Sequence, residues 1–194
     1  MPELEADKLL NVPHPRTNKK MFGHESSKNI FIKSLKKNKL HHAWLIHGPK
    51  GVGKATLAWK ITKLLQNGLH NFDQIEDENK LSLTSRRIEA LSEQSVLLCR
   101  RQFDKTKKKL LQEISVNEIR KINHFFSLSN TISKYRIVII DNINELSGIS
   151  FIDLIRGIWI FFLGYIGLII IIFKTNFKNT DNNVLLKNLD KLGI

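Results

Sequence analysis

A glycine-rich segment with one lysine stands directly before a helical pattern, and these residue types suit phosphate binding. The segment is Gly48, Pro49, Lys50, Gly51, Val52, Gly53 and Lys54. Backbone N–H groups in such a turn and at a helix N-terminus point at one small volume, where the helix dipole adds partial positive charge. Gly51 and Gly53 allow close approach of the backbone, and Lys54 can reach the β and γ phosphates of a nucleotide. The sequence predicts a phosphate loop; the alternative is a loop of that shape that binds nothing.

The motif departs from G-x-x-x-x-G-K-[ST] at its last position. Ala55 stands where a hydroxyl is expected, and the hydroxyl follows one residue later on Thr56. One residue turns a helix by about 100°, so Thr56 is out of place for holding Mg²⁺ in the usual way. Ala55 and Thr56 complete the candidate binding segment for ATP, with Mg²⁺ expected only together with the nucleotide. The displaced hydroxyl counts against magnesium-dependent hydrolysis.

A second candidate residue follows a run of β-branched residues. Arg136–Ile140 has the pattern of a buried parallel strand, and Asp141 stands at its carboxyl end. Open α/β sheets place ligands at that end, and a carboxylate there can hold magnesium, so Thr56 and Asp141 are the candidate metal ligands. The next residue is Asn142, whose neutral amide cannot act as a base for an attacking water. The alternative is that Asp141 only ends the strand.

Periodicity predicts the elements that position these residues. Ala43–Ile46 is a short apolar strand that leads into the loop, and a helix follows the loop. Val116–Phe126 has the spacing of an amphipathic core helix that packs on the sheet. Glu25–Leu40 predicts a short helix. The buried stripe of that helix is predicted to contain Ile30, Ile32, Leu35 and Leu40.

Length, charge and cysteine content limit the class of protein. A chain of 194 residues fits one compact domain, or one domain with a small appendage. The net charge of +13 favours a polyanionic partner or an acidic protein surface. One cysteine, Cys99, excludes an internal disulfide and a multi-cysteine zinc site and fits a reducing cytoplasm. The first 20 residues lack the features of a secretory signal.

A basic cluster surrounds Phe103. It consists of Arg100, Arg101 and the lysines of Lys105–Lys109. The cluster predicts a solvated hairpin tip, because charge runs usually face water. Contact with a phosphate backbone is the alternative.

Several blocks of the chain resemble the delta-prime subunits of bacterial DNA polymerase III clamp loaders. The blocks are Phe22–Glu25, Leu40–Pro49, Lys54–Ala58, Ile114–Arg120 with Phe125 and Phe126, and Arg136–Leu146. The resemblance covers about residues 12 to 147 and implies an AAA+ P-loop core, an α/β fold of three layers, α/β/α, with a parallel sheet. It also implies that this core is incomplete at its C-terminus and that the lid and collar domains of full-length relatives are absent.

The resemblance implies a role in DNA replication. Such a subunit is a stator within the polymerase holoenzyme, in the cytoplasm. It helps the delta subunit and the ATP-binding motor subunits place the sliding clamp on primed DNA, with weak or no ATP hydrolysis of its own. The alternatives are an active P-loop ATPase and an inactive or membrane-attached truncated fragment. The four-cysteine zinc module of many relatives is missing, so no zinc is expected, and no serine-arginine-cysteine tripeptide occurs.

The resemblance stops at an apolar run. The predicted organisation is a loose lead-in over 1–20, the core over 21–147, an apolar insertion or frame-disturbed segment over 148–181, and a short remnant helix over 182–194. Gly157–Phe173 contains 17 residues without a charge, which touches the lower bound of about 17 residues for a membrane span. A transmembrane anchor, a buried core helix and a disturbed reading frame are the three explanations, and the third is favoured.

Overall fold

The computed structural model describes residues 5–6, 12–76, 82–128 and 135–146, and the backbone of 168–175. The helices are α1 (Glu25–Lys36), α2 (Lys54–Gln66), α3 (Asp73–Glu76), α4 (Leu83–Glu89) and α5 (Val116–Ser127). The strands are β1 (Ala43–Gly48), β2 (Val96–Cys99), β3 (Phe103–Asp104), β4 (Lys109–Leu110), β5 (Arg136–Ile140) and β6 (Leu168–Thr175). Two 3-10 helices cover Pro15–Thr17 and Ile143–Glu145.

Four of the described strands form a parallel sheet in the order β1-β6-β5-β2. The two sides of β5 show how the sheet is covered. Ile137 and Ile139 belong to the core cluster that also contains residues of α1, α2, α3 and α4. Val138 and Ile140 belong to a second cluster with residues of α5. Because successive residues of a strand point to opposite faces, helices cover both faces of the sheet. The predicted α/β fold with a parallel sheet is confirmed.

The position of β6 corrects the interpretation of the apolar run. Its backbone pairs with β1 on one side and β5 on the other, with Gly48 opposite Thr175 and Ile140 opposite Ile172. Residues 168–173 are therefore strand, so the two helical explanations are wrong for this part of the run. A continuous apolar run fits a buried strand as well as a helix, which is why periodicity alone misled. The predicted limit of the core at residue 147 leaves β6 out, although β6 lies inside the sheet.

The rest of the predicted C-terminal organisation falls outside the described residues. This applies to 148–167, to 176–181 and to the predicted remnant helix over 182–194. The reading-frame explanation stays a prediction about the nucleotide sequence. None of the helices in the described part of the chain combines the length and the apolar character needed to cross a membrane.

The lead-in is packed on the domain rather than loose. His14 is only 5% exposed and meets the indole of Trp59 edge-on, with ring centroids 6.4 Å apart. Arg16 Nε donates a hydrogen bond of 2.8 Å to the carbonyl oxygen of Glu89 at the end of α4. Short polar segments give no periodic signal, so sequence reasoning could not find these contacts.

The helical predictions are confirmed at α5 and need one change at α1. The predicted apolar stripe of α5 is buried against the sheet. In α1 the fully buried residue is Phe31, at 1% exposure, whereas Ile30 is 58% exposed. Phe31 packs against Trp44 of β1, with ring centroids 5.0 Å apart, and this aromatic contact sets the rotation of the helix.

Candidate phosphate-binding site

The glycine-rich segment connects a strand to a helix, as the sequence predicts. β1 ends at Gly48 and α2 begins at Lys54. Gly51 has a φ of +85° and Gly53 a φ of +97°, in the left-handed region that side-chain-bearing residues rarely adopt. Two glycines are thus needed for the chain to turn within the few residues between the strand and the helix.

The start of α2 presents N–H groups to the loop. Gly53 is the N-cap and makes no side-chain capping bond, and the first turn contains no acidic residue. The first intrahelical bond runs from the N–H of Leu57 to the carbonyl oxygen of Gly53. The N–H groups of the preceding three residues therefore lack helical partners, and the helix dipole favours an anion beside them. This end of α2 fits a phosphate group.

Lys54 folds back onto the loop. Its Nζ donates hydrogen bonds to the carbonyl oxygens of Gly48, at 2.8 Å, and Pro49, at 2.6 Å. The residue is 6% exposed, and desolvation by burial lowers the pKa of Lys54 below its usual value. Two carbonyl dipoles hold the ammonium at the base of the loop. An incoming phosphate offers this ammonium a full negative charge in place of the two carbonyls, so the residue fits the role predicted for it.

His24, which sequence reasoning did not assign to the site, holds the far side of the loop. Its Nε2 lies 2.7 Å from the carbonyl oxygen of Val52, so this nitrogen donates a hydrogen bond. A Cβ on Gly53 would lie 3.3 Å from the same Nε2, which shows how closely the ring approaches the loop. The contact spans 28 residues of sequence, and no local pattern predicts it.

The two residues after Lys54 keep their predicted positions on α2. Ala55 is partly buried and packs against the first core cluster. Thr56 is 8% exposed, one helical position further round. The hydroxyl that usually follows the loop lysine is therefore replaced by a methyl group. Assignment of Thr56 as a magnesium ligand stays a prediction.

Asp141 follows β5 at the same edge of the sheet as the loop. The N–H of Asp141 donates to the carbonyl oxygen of Cys99, at 3.0 Å, which continues the β2–β5 pairing by one residue. β6 lies between β1 and β5, so the loop strand and the Asp141 strand are two strand spacings apart, about 9.5 Å. The carboxyl end of β6, at Lys174 and Thr175, lies between them in the sheet.

The side chain of Asn142 forms hydrogen bonds to the residues that directly follow it. It is the N-cap of the 3-10 helix Ile143–Glu145, where its Oδ1 accepts the N–H of Asn144 at 3.1 Å. Its Nδ2 donates to Glu145 Oε1 at 3.2 Å. Asparagine followed three residues later by glutamate is the spacing of a capping box, a sequence signal that could have predicted this arrangement.

The described residues place a loop that fits a phosphate group beside a strand end at which the residue after the carboxylate is not a base. The loop, the N-terminus of α2 and Lys54 supply dipoles and a cation for phosphate. Asn142, which follows the strand-end carboxylate, caps a helical turn and is an amide. Among the described residues, no group of three or more His, Cys, Asp or Glu side chains is arranged to hold a metal ion.

The fold and loop together define an α/β protein with a parallel sheet in which a glycine-rich loop joins a strand to a helix. Residues 23–151 match the family described as DNA polymerase III, delta subunit. This match covers more than half of the chain, which therefore belongs to this family of clamp-loader proteins. The family-level resemblance predicted from the sequence is confirmed.

The chain is also similar to a curated protein, the DNA polymerase III subunit gamma of Buchnera aphidicola subsp. Schizaphis graminum (strain Sg). The two are 28% identical over 142 residues, which cover 73% of this chain and 36% of the relative. The chain thus spans about a third of the length of this relative.

Proposed function

We propose that the chain acts as a delta-prime-type stator subunit of the DNA polymerase III clamp loader, with weak or no ATP hydrolysis of its own. Membership of the family supports the clamp-loader role. The observation that carries the stator assignment is the capping role of Asn142 directly after Asp141. A residue that polarises the attacking water would have to act from this position, and an amide cannot accept the proton.

The start of α2 supports the same assignment. Ala55 supplies no hydroxyl next to Lys54, so a magnesium ion bridging the β and γ phosphates loses a ligand that the motif normally provides. Asp141 remains as the carboxylate on the opposite side of the site. Both changes reduce hydrolysis without removing the cradle. The candidate nucleotide set is Gly48, Pro49, Lys50, Gly51, Val52, Gly53, Lys54, Ala55, Thr56 and Asp141.

The proposed partners are the delta subunit and the motor subunits of the clamp loader, in the cytoplasm. Through them the chain takes part in placing the sliding clamp on primed DNA during replication. A stator contributes surface and rigidity rather than turnover. The packing supports this role, because the lead-in, the loop and the sheet are tied by contacts such as Arg16 with Glu89 and His24 with Val52.

Reconstitution tests the stator role. The full chain is mixed with delta and motor subunits, and assembly is followed by analytical gel filtration with and without ATP. We expect co-elution in both conditions, and the Lys54→Ala variant should co-elute as well as wild type, since assembly does not depend on this lysine. Failure of the intact, folded chain to join the other subunits would overturn the assignment.

An active ATPase is the second candidate. It is favoured by the complete Gly53–Lys54 part of the motif and by the similarity to a protein named subunit gamma. In this case Thr56 and Asp141 would hold Mg²⁺ despite the displaced hydroxyl. Steady hydrolysis that needs both magnesium and Lys54 separates this candidate from the stator.

A further inference from the structure

A second surface of the chain carries a dense group of cations. β3 and β4 form an antiparallel hairpin in which Asp104 is paired with Lys109. The connecting residues, 105–108, are all exposed. We infer that the lysine tip of this hairpin, Lys107, Lys108 and Lys109, is a contact surface for the phosphate backbone of a nucleic acid.

The turn gives the lysine tip a fixed shape. Asp104 Oδ1 accepts hydrogen bonds from the N–H groups of Thr106, at 2.9 Å, and Lys107, at 3.0 Å. Lys108 adopts a φ of +49°, which completes the reversal of the chain. The carboxylate of Asp104 is thus engaged with the backbone inside the turn. A tip that is ordered before binding loses less conformational entropy when it meets a partner.

The base of the hairpin is fastened to the rest of the domain. Arg100 Nη2 lies 3.1 Å from Glu5 Oε1, and Arg101 Nε lies 2.7 Å from Glu145 Oε2. These two arginines are therefore engaged in ion pairs within the chain, although the sequence groups them with the lysines. Their pairing distinguishes them from the lysines within residues 105–109, which are exposed.

The carboxylate within the turn, that of Asp104, accepts backbone N–H groups and is not ion-paired with the lysine tip in the described part of the chain. No carboxylate there forms an ion pair with Lys107, Lys108 or Lys109. Lysine ammonium groups, together with hydroxyls such as that of Thr106, are typical contacts to phosphate oxygens. Protein–protein interfaces are instead depleted in lysine and enriched in aromatic residues. A nucleic-acid backbone therefore fits this surface better than an acidic protein does.

This inference is independent of the phosphate loop and of nucleotide turnover. It would hold for a chain that fails to join a clamp loader, and it would fail without affecting the stator assignment. If both hold, the lysine tip is a direct contact of this subunit with DNA.

The test uses the full chain and a labelled DNA duplex of about 20 base pairs, with binding measured by fluorescence anisotropy between about 50 and 200 mM salt. The variant carries Lys107→Gln, Lys108→Gln and Lys109→Gln. The control carries Lys36→Gln, Lys37→Gln and Lys39→Gln, three exposed lysines at the end of α1 that change the net charge by the same amount. Urea unfolding confirms that both variants keep the fold.

Each phosphate contact contributes about 0.9 to the slope of log affinity against log salt, so loss of three contacts lowers the slope by about 2 to 3. We expect this loss, and about tenfold or greater weakening at low salt, only for the hairpin variant. If both variants lower the affinity and the salt slope equally, the effect comes from the net charge rather than from the hairpin. That result would overturn the inference. Polyglutamate of matched charge that competes as well as unlabelled duplex would point to an acidic protein instead and would also overturn it.

Discussion

The ends of β1 and β5 lie at the same edge of one parallel sheet, and they carry different parts of the proposed nucleotide site. The end of β1 keeps the glycine turn, the free N-terminus of α2 and the buried Lys54. The end of β5 keeps Asp141, but the next side chain, Asn142, caps a helical turn. One end has a geometry that fits a phosphate group, and at the other end the residue after the carboxylate is an amide, which cannot accept a proton from water.

If the proposed site is right, phosphate binding and hydrolysis depend on separable parts of the same fold. The cradle is made by backbone geometry and by one lysine, so it survives as long as the loop and α2 keep their positions. Activation of the attacking water depends on single side chains at the end of a strand, so substitution of one side chain can abolish it. A subunit that serves as a rigid part of an assembly can keep the first and lose the second.

The largest effect is expected from breaking the core that joins the two ends. Leu57 of α2 and Ile139 of β5 are 2% and 0% exposed and belong to the same core cluster. Each change to alanine should cost about 2 to 5 kcal/mol of unfolding free energy, because it leaves a cavity. Urea unfolding followed by tryptophan fluorescence and circular dichroism should show one shared transition. The exposed Ile30→Ala variant should change stability by less than about 0.5 kcal/mol.

If the two ends belonged to independent units, the two core variants would behave differently. Leu57→Ala would then lower one transition and leave the other in place. That outcome would contradict the view that one core supports both the loop and the strand end.

A smaller effect is expected at the loop itself. Gly53→Ala and Gly51→Ala both place a side chain at positive φ, which costs about 1 to 2 kcal/mol. The Gly53 change also brings a Cβ to 3.3 Å from His24 Nε2, whereas a Cβ on Gly51 meets nothing within 4 Å. Gly53→Ala should therefore weaken binding of a fluorescent ATP analogue more than Gly51→Ala does. Equal affinities would show that the His24 contact does not shape the cradle.

The smallest effect is expected at the end of β5. Asn142→Ala removes the cap of the 3-10 helix and should cost about 1 kcal/mol, while Asn142→Ser keeps a neutral acceptor oxygen at the cap and should cost less. Neither change should alter the rate of ATP turnover. If Asn142→Ala lost ATP turnover without a matching loss of stability, this side chain would have a catalytic role. The difference between the end of β1 and the end of β5 would then disappear.

Local patterns predicted most of the site. The glycines and Lys54 stand in one short segment, α5 carries the helical period, and the apolar runs of β1 and β5 are short and end next to the loop and Asp141. These signals are short in sequence and depend on backbone geometry. They can therefore be recognised in the sequence without any tertiary contact.

Signals that depend on tertiary packing were not predicted. The backbone of β6 fills the gap between β1 and β5, but its uniform apolar letters do not distinguish strand from helix. Phe31 replaces Ile30 in the core because Trp44 packs against it. His24 reaches the loop from 28 residues away. The capping role of Asn142 is a local signal that could have been predicted, since Glu145 stands at the required spacing.

The central claim is tested most directly by phosphate release from ATP by the full chain in the presence of Mg²⁺, with the Lys54→Ala variant as the matched control. We expect the two proteins to release phosphate at the same background rate, because Asn142 cannot act as a base and Ala55 supplies no magnesium ligand next to Lys54. Magnesium-dependent release by the wild-type chain that disappears in Lys54→Ala would contradict the account.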